Sequence, residues 1–453
     1  MTYPADKKTR RGMPLAVLLI ALLILGAAVA VGVRLFEGEL PKVVLAEKPD
    51  FLGNKKTITL SASDAKSGLQ GLVVDLVQGE KKAVLYQKEI VRQGYFAHSG
   101  PNLLDATVEV DPKSLGFADG KAELAVTARD FSWRNWMGGN VTTLTVPVVI
   151  DTRPPQLAVK DSTRYIKNGG TGVVVYQTDE PLSKSGVTIN DHFNPGYPLA
   201  GRGENTYVAY VAVPFNAKSI TSSYVSAVDR AGNEAQAAVG MIFKRKALKP
   251  DRINISDSFL TAKLPAFLLH YQLAGTPVKQ YVTLNSKIRQ ENNRKIKEIC
   301  SKSASERLWK GVFSRMARSS RRSSFADDRS YYYKGKKIDE EYHLGVDLAS
   351  VRHAQVEAAN RGRVVFTGYL GLYGNAVIVD HGQGVFTLYG HLSQIKVKPG
   401  DLVEHDGLLG LSGATGMAGG DHLHFSILVN GIFVDPVEWW DAHWLQVNIE
   451  DIL

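Results

Sequence analysis

The sequence predicts a mainly β chain of several domains: one apolar helix near the N-terminus, two β-sandwich units, a short helical segment, and an all-β C-terminal domain. Three observations carry this. Residues 14–33 contain no charge. Short β-branched runs broken by Gly, Asp, Asn and Pro fill 40–248 and recur after 340. Apolar spacing of helical period is confined to 250–323. At 453 residues the chain exceeds one ordinary core, and its 44% hydrophobic and 22% charged content is that of globular protein. One cysteine, Cys300, excludes an internal disulfide framework and a multi-cysteine metal site.

Taken in order, residues 1–13 are a basic segment with Lys7, Lys8, Arg10 and Arg11. The twenty residues 14–33 are long enough, as a helix, to span a hydrocarbon core of roughly 30 Å. Arg34 is followed by Glu37 and Glu39, so the excess of basic residues before the span leaves the N-terminus in the cytoplasm and exports everything after it. The expected location is a single-pass plasma (inner) membrane protein with its bulk in the periplasm or cell-wall space. The alternative is a signal peptide cleaved after Ala28-Val29-Ala30.

Residues 40–150 and 151–248 each read as a sandwich-sized set of strands. Thr57–Leu60, Leu72–Leu76, Ala122–Ala128 and Val141–Ile150 form the first set; Val173–Tyr176, Tyr207–Val213 and Tyr224–Val228 form the second. Asp151-Thr152-Arg153-Pro154-Pro155 separates them. Ala128–Asn135 and Ala227–Glu234 align at an offset of 99, a weak internal repeat. Both units resemble bacterial immunoglobulin-like domains, in which an Asp-x-x-Gly-Asn turn and an Asp-Thr-x-Pro-Pro junction recur. Their expected role is a spacer between membrane and C-terminal domain.

Between 250 and 323 two amphipathic helices are expected. Thr276-Pro277 suits an N-cap and first helical position, with apolar residues recurring to Cys300; Ser303-x-x-Glu306 suits a capping box ahead of Leu308, Trp309, Val312, Phe313 and Met316. Residues 287–329 hold thirteen Lys or Arg against five Asp or Glu, nearly the whole net charge of +9. Arg315, Arg318, Arg321 and Arg322 read as an exposed, mobile basic loop able to meet acidic wall polymers or anionic lipid headgroups. Nucleic acid is disfavoured, since no base-stacking motif accompanies the charge.

The last unit, 324–445, carries the chemistry. In a strand, His422 and His424 point to one face, continued by Ser426, while Leu423, Phe425 and Ile427 line the other. His343 and Asp347, four apart, can converge on one ion, and Gly390-His391-Leu392 lies between the two pairs. Single histidines are ordinarily surface or satisfied core residues, and His98, His192, His270, His353, His405 and His443 are read that way; His381, in an Asp-His-Gly turn, reads as structural.

The set His343-x-x-x-Asp347, Gly390-His391-Leu392 and His422-x-His424 resembles the signature of lysostaphin-type (LytM-type) zinc metallopeptidases, which cut peptide bonds in peptidoglycan. Gly362-Arg363-Val364-Val365-Phe366, Tyr373-Gly374-Asn375, Val379-Asp380-His381-Gly382, Val397–Asp401 and Val434-Asp435-Pro436 match as well. The resemblance implies zinc, one per chain, on His343, Asp347 and His424; catalytic roles for His391 and His422; and peptidoglycan stem or cross-bridge peptides as substrate. The chain departs from the family at Ala349–Gln355 and at Asp421, which touches turns beside the motifs. Val397–Leu411 is also similar to lipoyl and biotinyl carrier hairpins of the same hybrid-barrel style, without their Met-Lys. Two other classes stay open: a non-catalytic wall-binding or hydrolase-activating scaffold on the same fold, and a membrane-tethered adhesion protein.

Overall fold

The computed structural model describes residues 15–94 and 100–453. The basic segment 1–13, Pro14 of the expected span and His98 lie outside the described residues. The chain is mainly β and divides into two compact units, Met1–Pro154 with Arg230–Asn233, and Pro155–Asp229 with Glu234–Leu453.

The first unit begins with helix α1 (Leu15–Leu35), of which no residue is buried. A sandwich of two sheets follows. Lys42–Leu45, Lys56–Ser63 and Leu103–Val110 form one; Phe51–Leu52, Val141–Ile150, Gly120–Asp130, Leu69–Gln78 and Lys81–Glu89 form the other in that order. Strand periodicity makes the core: along Leu103–Val110 every second residue is buried, and Leu104, Ala106, Val108 and Val110 meet Leu72, Val74, Leu124 and Val126 of the facing sheet.

The second unit opens with another pair of four-stranded sheets. Here Thr171–Thr178 and Thr206–Ala212 are buried on both faces. Val174, Tyr176, Ala209 and Val211 point into the sandwich core. Their alternate neighbours on the opposite face, Val173, Val175, Val208, Tyr210 and Ala212, join Trp309, Phe313, Trp439 and the C-terminal domain in one continuous cluster. A continuous Val-rich run thus marks a strand shared by two cores. At the same contact Lys167 reaches Asp435 at 3.0 Å and Glu438 at 3.1 Å, and Trp439 Nε1 donates to Thr171 Oγ1 at 3.3 Å. The boundary expected at residue 248 therefore crosses a common core.

The C-terminal domain is built on an eight-stranded sheet. Its central strands are β1 (Val346–Ala349), β2 (Gly362–Tyr369), β3 (Asn375–Asp380), β4 (Val385–Leu392) and β5 (Leu423–Val429), in spatial order β1-β5-β4-β3-β2. One face packs on the cluster just described. The other is covered by helices α2 (Asp257–Leu268), α3 (Pro277–Thr283) and α4 (Arg289–Ile299), the last burying Ile296 with Cys300 against Ile378, Leu388 and Leu428. The expected Thr276-Pro277 cap is present: Thr276 accepts from Lys279 N and Pro277 opens the helix. A five-residue π-helical turn, Leu284–Ile288, joins α3 to α4.

Two expectations fail here. Residues 303–316 form no helix. Their backbone groups bond to other elements instead, Leu308 N to His381 O at 2.8 Å, Phe313 N to Trp439 O at 3.1 Å and Ser314 N to Ala359 O at 2.7 Å, and the i, i+4 pair Trp309 and Phe313 sinks against Trp439. Two large aromatics four apart satisfy a helical template and an extended strap equally, and packing decided. The basic loop is exposed at Arg315, Arg318, Arg321 and Arg322, but Ser320–Ser323 is an edge strand paired with β1.

The strap and the shared core carry a prediction. A fragment of residues 324–453 lacks Trp309 and Phe313 and bares Trp439; it fails to unfold cooperatively in thermal or urea titration, whereas residues 155–453 do. In the longer fragment Trp439→Ala costs about 3–5 kcal/mol.

Candidate metal centre

Three side chains meet on the helix-covered face of the sheet. Strand register brings two of them together, because Asp347 of β1 lies directly opposite His424 of β5. His343, in the turn before β1, supplies the third. His343 Nε2 and His424 Nδ1 are each 3.0 Å from Asp347 Oδ1, and 3.1 Å from one another. All three residues are buried, and the group is of a kind that can hold a metal ion.

Their partners fix which nitrogen faces inward. His343 Nδ1–H donates to Ser324 O at 3.0 Å, which leaves Nε2 with its lone pair. The Ser426 hydroxyl donates to Leu344 O at 2.7 Å and so accepts from His424 Nε2–H at 3.1 Å, which leaves His424 Nδ1 with its lone pair. Two nitrogen lone pairs and a carboxylate oxygen thus face one another across about 3 Å, an arrangement that repels itself until a cation enters. A tetrahedral ion bound at about 2.0–2.1 Å needs donor separations of about 3.3–3.4 Å, a few tenths more than the triangle here. Neutral imidazoles with one carboxylate and an open fourth position fit a divalent ion of borderline softness.

Where no cation occupies the triangle, protons on the imidazoles take its place: burial raises the Asp347 carboxyl, but the charge and hydrogen bond of His343 and the bonds of His422 and His424 outweigh it and hold the group well below the usual range. Burial, chiefly, lowers His424 to about 4, so it is neutral and ready to ligate. Arg329 stands behind, its Nη2 3.4 Å from Asp347 Oδ2 and its Nε 3.4 Å from Asp251 Oδ2.

His391 and His422 border the triad, their rings 4.9 Å apart. His391 ends β4 with φ +64° and gives Nδ1–H to Thr415 O at 2.8 Å. His422 precedes β5, gives Nδ1–H to Gly420 O at 2.9 Å, and places Nε2 3.5 Å from Asp347 Oδ1. Burial, then His422 and His424, hold His391 well below its ordinary value; for His422 burial acts the same way, but Asp347 overrides it and raises the group. Gly345 is required by close approach, since a Cβ there would lie 2.6 Å from the His424 ring.

All five expected site residues therefore line one cavity of about 420 Å³. Its far wall is supplied by Ile253–Ser256, Phe259, Tyr281, Asn285 and Arg289 from the helical segment, so the boundary expected at 324 runs through the site. Arg289 and Arg329 were hidden in a charge run that gave them no individual signal, while Ser426 was legible as the next residue on the His422/His424 face. His381 is structural as expected: fully buried, it gives Nδ1–H to Arg361 O at 2.8 Å and meets Thr387 Oγ1 at 2.8 Å. His270 stacks on Tyr369, and His353 and His405 touch Asp421 and Ser314, away from the triad.

Residues 341–436 match the model of peptidase family M23. Over 95 residues the chain is 41% identical to the DD-carboxypeptidase/endopeptidase Mpg of Neisseria meningitidis, covering 21% of this chain and 22% of that protein. Over 89 residues it is 40% identical to the peptidoglycan DD-endopeptidase ShyA of Vibrio cholerae, covering 20% and 21%. The chain spans about a fifth of the length of these curated relatives. Among solved structures, a putative M23 peptidase from Pseudomonas aeruginosa aligns with a TM-score of 0.38 at 20% identity, over 61% of this chain and 94% of that one.

Two predictions follow from the geometry. Ser426→Ala frees His424 Nε2–H and lowers metal affinity by about 10–100-fold, read by competition with a chromophoric chelator. His381, lowered from 6.5 to about 4 by burial, is neutral in the fold, so between those pH values the unfolded chain binds the extra proton. Its contribution to stability is complete above about 6.5 and is lost as pH falls toward 4. Urea titrations from pH 4 to 7 should show a shallower acid loss for His381→Gln than for the native chain.

Proposed function

Because residues 341–436 constitute a peptidase M23 domain, we propose that the chain is a membrane-anchored, exported zinc endopeptidase that hydrolyses peptide bonds of peptidoglycan stem peptides or cross-bridges. The observation that carries this reading is the inward-facing triad of His343 Nε2, Asp347 Oδ1 and His424 Nδ1, with two further imidazoles at its edge. The wall substrate is the one that the names of the M23 relatives carry.

His343, Asp347 and His424 would hold zinc, which when bound would acidify a water, from a pKa of 15.7 to about 7, and polarise the scissile carbonyl. The chain's own residues supply the rest. His343 and His424, each anchored through its other ring nitrogen, hold their donor nitrogens without rotation. Arg329 engages Asp347 Oδ2, which leaves Oδ1 for the ion. His391 and His422 give Nδ1–H to backbone carbonyls, so Nε2 is the nitrogen each turns to the reaction, His422 Nε2 lying 3.5 Å from Asp347 Oδ1; between them they can accept the proton of the attacking water and pass one to the departing amine. The reaction needs no covalent intermediate on the protein.

In this reading α1 is the anchor, with the N-terminus cytoplasmic and all that follows in the periplasm or wall space. The two sandwiches, immunoglobulin-like in type, hold the peptidase off the membrane. The exposed arginines within 287–329 meet acidic wall polymers or lipid headgroups.

The five site residues separate into two groups under Ala substitution. His343→Ala, Asp347→Ala and His424→Ala lose bound zinc and activity on purified peptidoglycan together. His391→Ala and His422→Ala keep zinc near one per chain and lose about 10²–10⁴ in single-turnover rate. Metal analysis beside product analysis of digested sacculi reads both; zinc lost from His422→Ala but kept by His424→Ala reverses the assignment.

A further inference from the structure

Where α1 ends, a turn of the first unit is fastened to it. Trp133 N–H donates to Leu35 O at 2.7 Å, Arg134 Nε to Phe36 O at 3.2 Å and Ser132 Oγ to Glu37 O at 2.8 Å. The Trp133 ring meets Phe36 edge-on, centroids 5.8 Å apart. The first of these bonds satisfies a carbonyl that the last turn of the helix leaves open, the other two hold the residues that follow it, and together they fix the turn to the helix end. Gly38 lets the linker pass beneath Arg134, since a Cβ there would lie 2.5 Å from the guanidinium.

The same turn then presents its apolar residues outward. Asn135, Trp136 and Met137 take φ of 51°, 57° and 68°, three successive non-glycine residues in the left-handed region. The turn closes on itself, with Gly138 N–H donating to Asn135 O at 3.0 Å and Asn135 Nδ2 to Gly139 O at 3.0 Å, yet its backbone is one that side chains rarely adopt and its apolar groups gain no burial, Trp136 being 101% exposed and Met137 38%. A strained turn that holds an indole away from its own protein is explained by a surface the indole meets.

We propose that this surface is the membrane: the turn 133–137 seats Trp136 and Met137 in the lipid headgroup layer around the exit of α1, with Arg134 toward lipid phosphates. The inference rests on the anchor reading of α1. The 21 residues of α1 span about 31 Å, so Leu35 falls at the edge of a hydrocarbon core of about 30 Å. Trp136 is three residues from Trp133, hence within about 11 Å of that edge, and the headgroup layer is about 5–8 Å thick. Indoles favour this layer because a large apolar ring and one N–H donor suit a zone half hydrocarbon and half wet. Seated there, the first unit stands on the bilayer in a fixed orientation, and the anchor becomes a rigid base for the chain.

The test uses the full chain in phosphatidylcholine–phosphatidylglycerol vesicles, with a nitroxide on one introduced thiol at a time; the native Cys300 is buried. Sites are Trp136→Cys, Leu23→Cys in mid-helix, and Glu80→Cys at the hairpin far from Asp130. Accessibility to oxygen, which partitions into lipid, and to a nickel chelate, which stays in water, is read by power saturation. The proposal expects the label at 136 to lose nickel accessibility and gain oxygen accessibility relative to 80, with 23 deeper still. A label at 136 that matches 80 while 23 is deep overturns the turn's role and leaves the anchor standing. A label at 136 shielded from both agents places protein there and also overturns it. Nickel access at 23 means the anchor reading has failed, and this inference with it. In the native chain, Trp136→Ala should remove part of the tryptophan quenching produced by lipids brominated near the headgroup; unchanged quenching contradicts the proposal.

Discussion

Asp347 and His424 face each other across an antiparallel pair, and the site depends on that register. Side chains on paired strands meet most closely when their residues are directly opposite, and a slip of one residue turns every side chain to the other face. The register is held from the opposite side of the strand. Leu423, Phe425, Ile427 and Val429 belong to the large cluster with Trp439, so a slip that separated Asp347 from His424 would also drive those residues out of the core. β4 completes the constraint, since Gly390 lies opposite His424 and the chain then turns through His391 at φ +64° to bring its ring beside His422. Apolar burial on one face thus sets the chemistry on the other.

The cluster of His343, Asp347 and His424 and its neighbours were legible because their information is local. Two histidines separated by one residue have a fixed meaning in a strand, and Ser426 falls on the same face for the same reason. The sandwich strands were legible from alternation, and Thr276-Pro277 from cap chemistry. What stayed hidden depends on partners distant in the chain. Trp309 and Phe313 carry a helical spacing, yet their backbone groups are satisfied by Trp439, His381 and Ala359, so a strap replaced the expected helix. Arg329 looked like one cation among thirteen, and only the approach of Asp347 and Asp251 distinguishes it. The doubly buried run Val173–Tyr176 was read correctly as a strand, but that its second face packs on the peptidase domain is a tertiary fact with no local signature.

The M23 match begins at residue 341, whereas the cavity wall begins near Ile253. Formal charges on the lining are Arg289, Arg329 and Asp347, so the cavity is net positive before any metal enters, and its other wall residues are largely apolar or aromatic. The sheet with its adjoining turns supplies the five His and Asp residues of the cavity; the segment before it supplies much of the remaining wall.

In the function proposed above, one zinc is held by two imidazoles and one carboxylate while two further imidazoles stand clear of it. X-ray absorption at the zinc edge of the full-length chain, loaded with one equivalent of zinc, counts imidazole ligands directly through their multiple-scattering signature. Two imidazoles are expected, with the remaining ligands oxygen, at about 2.0–2.2 Å. Three or more imidazoles would put His391 or His422 on the metal, and a sulfur ligand at about 2.3 Å would bring in Cys300; either result contradicts the site described.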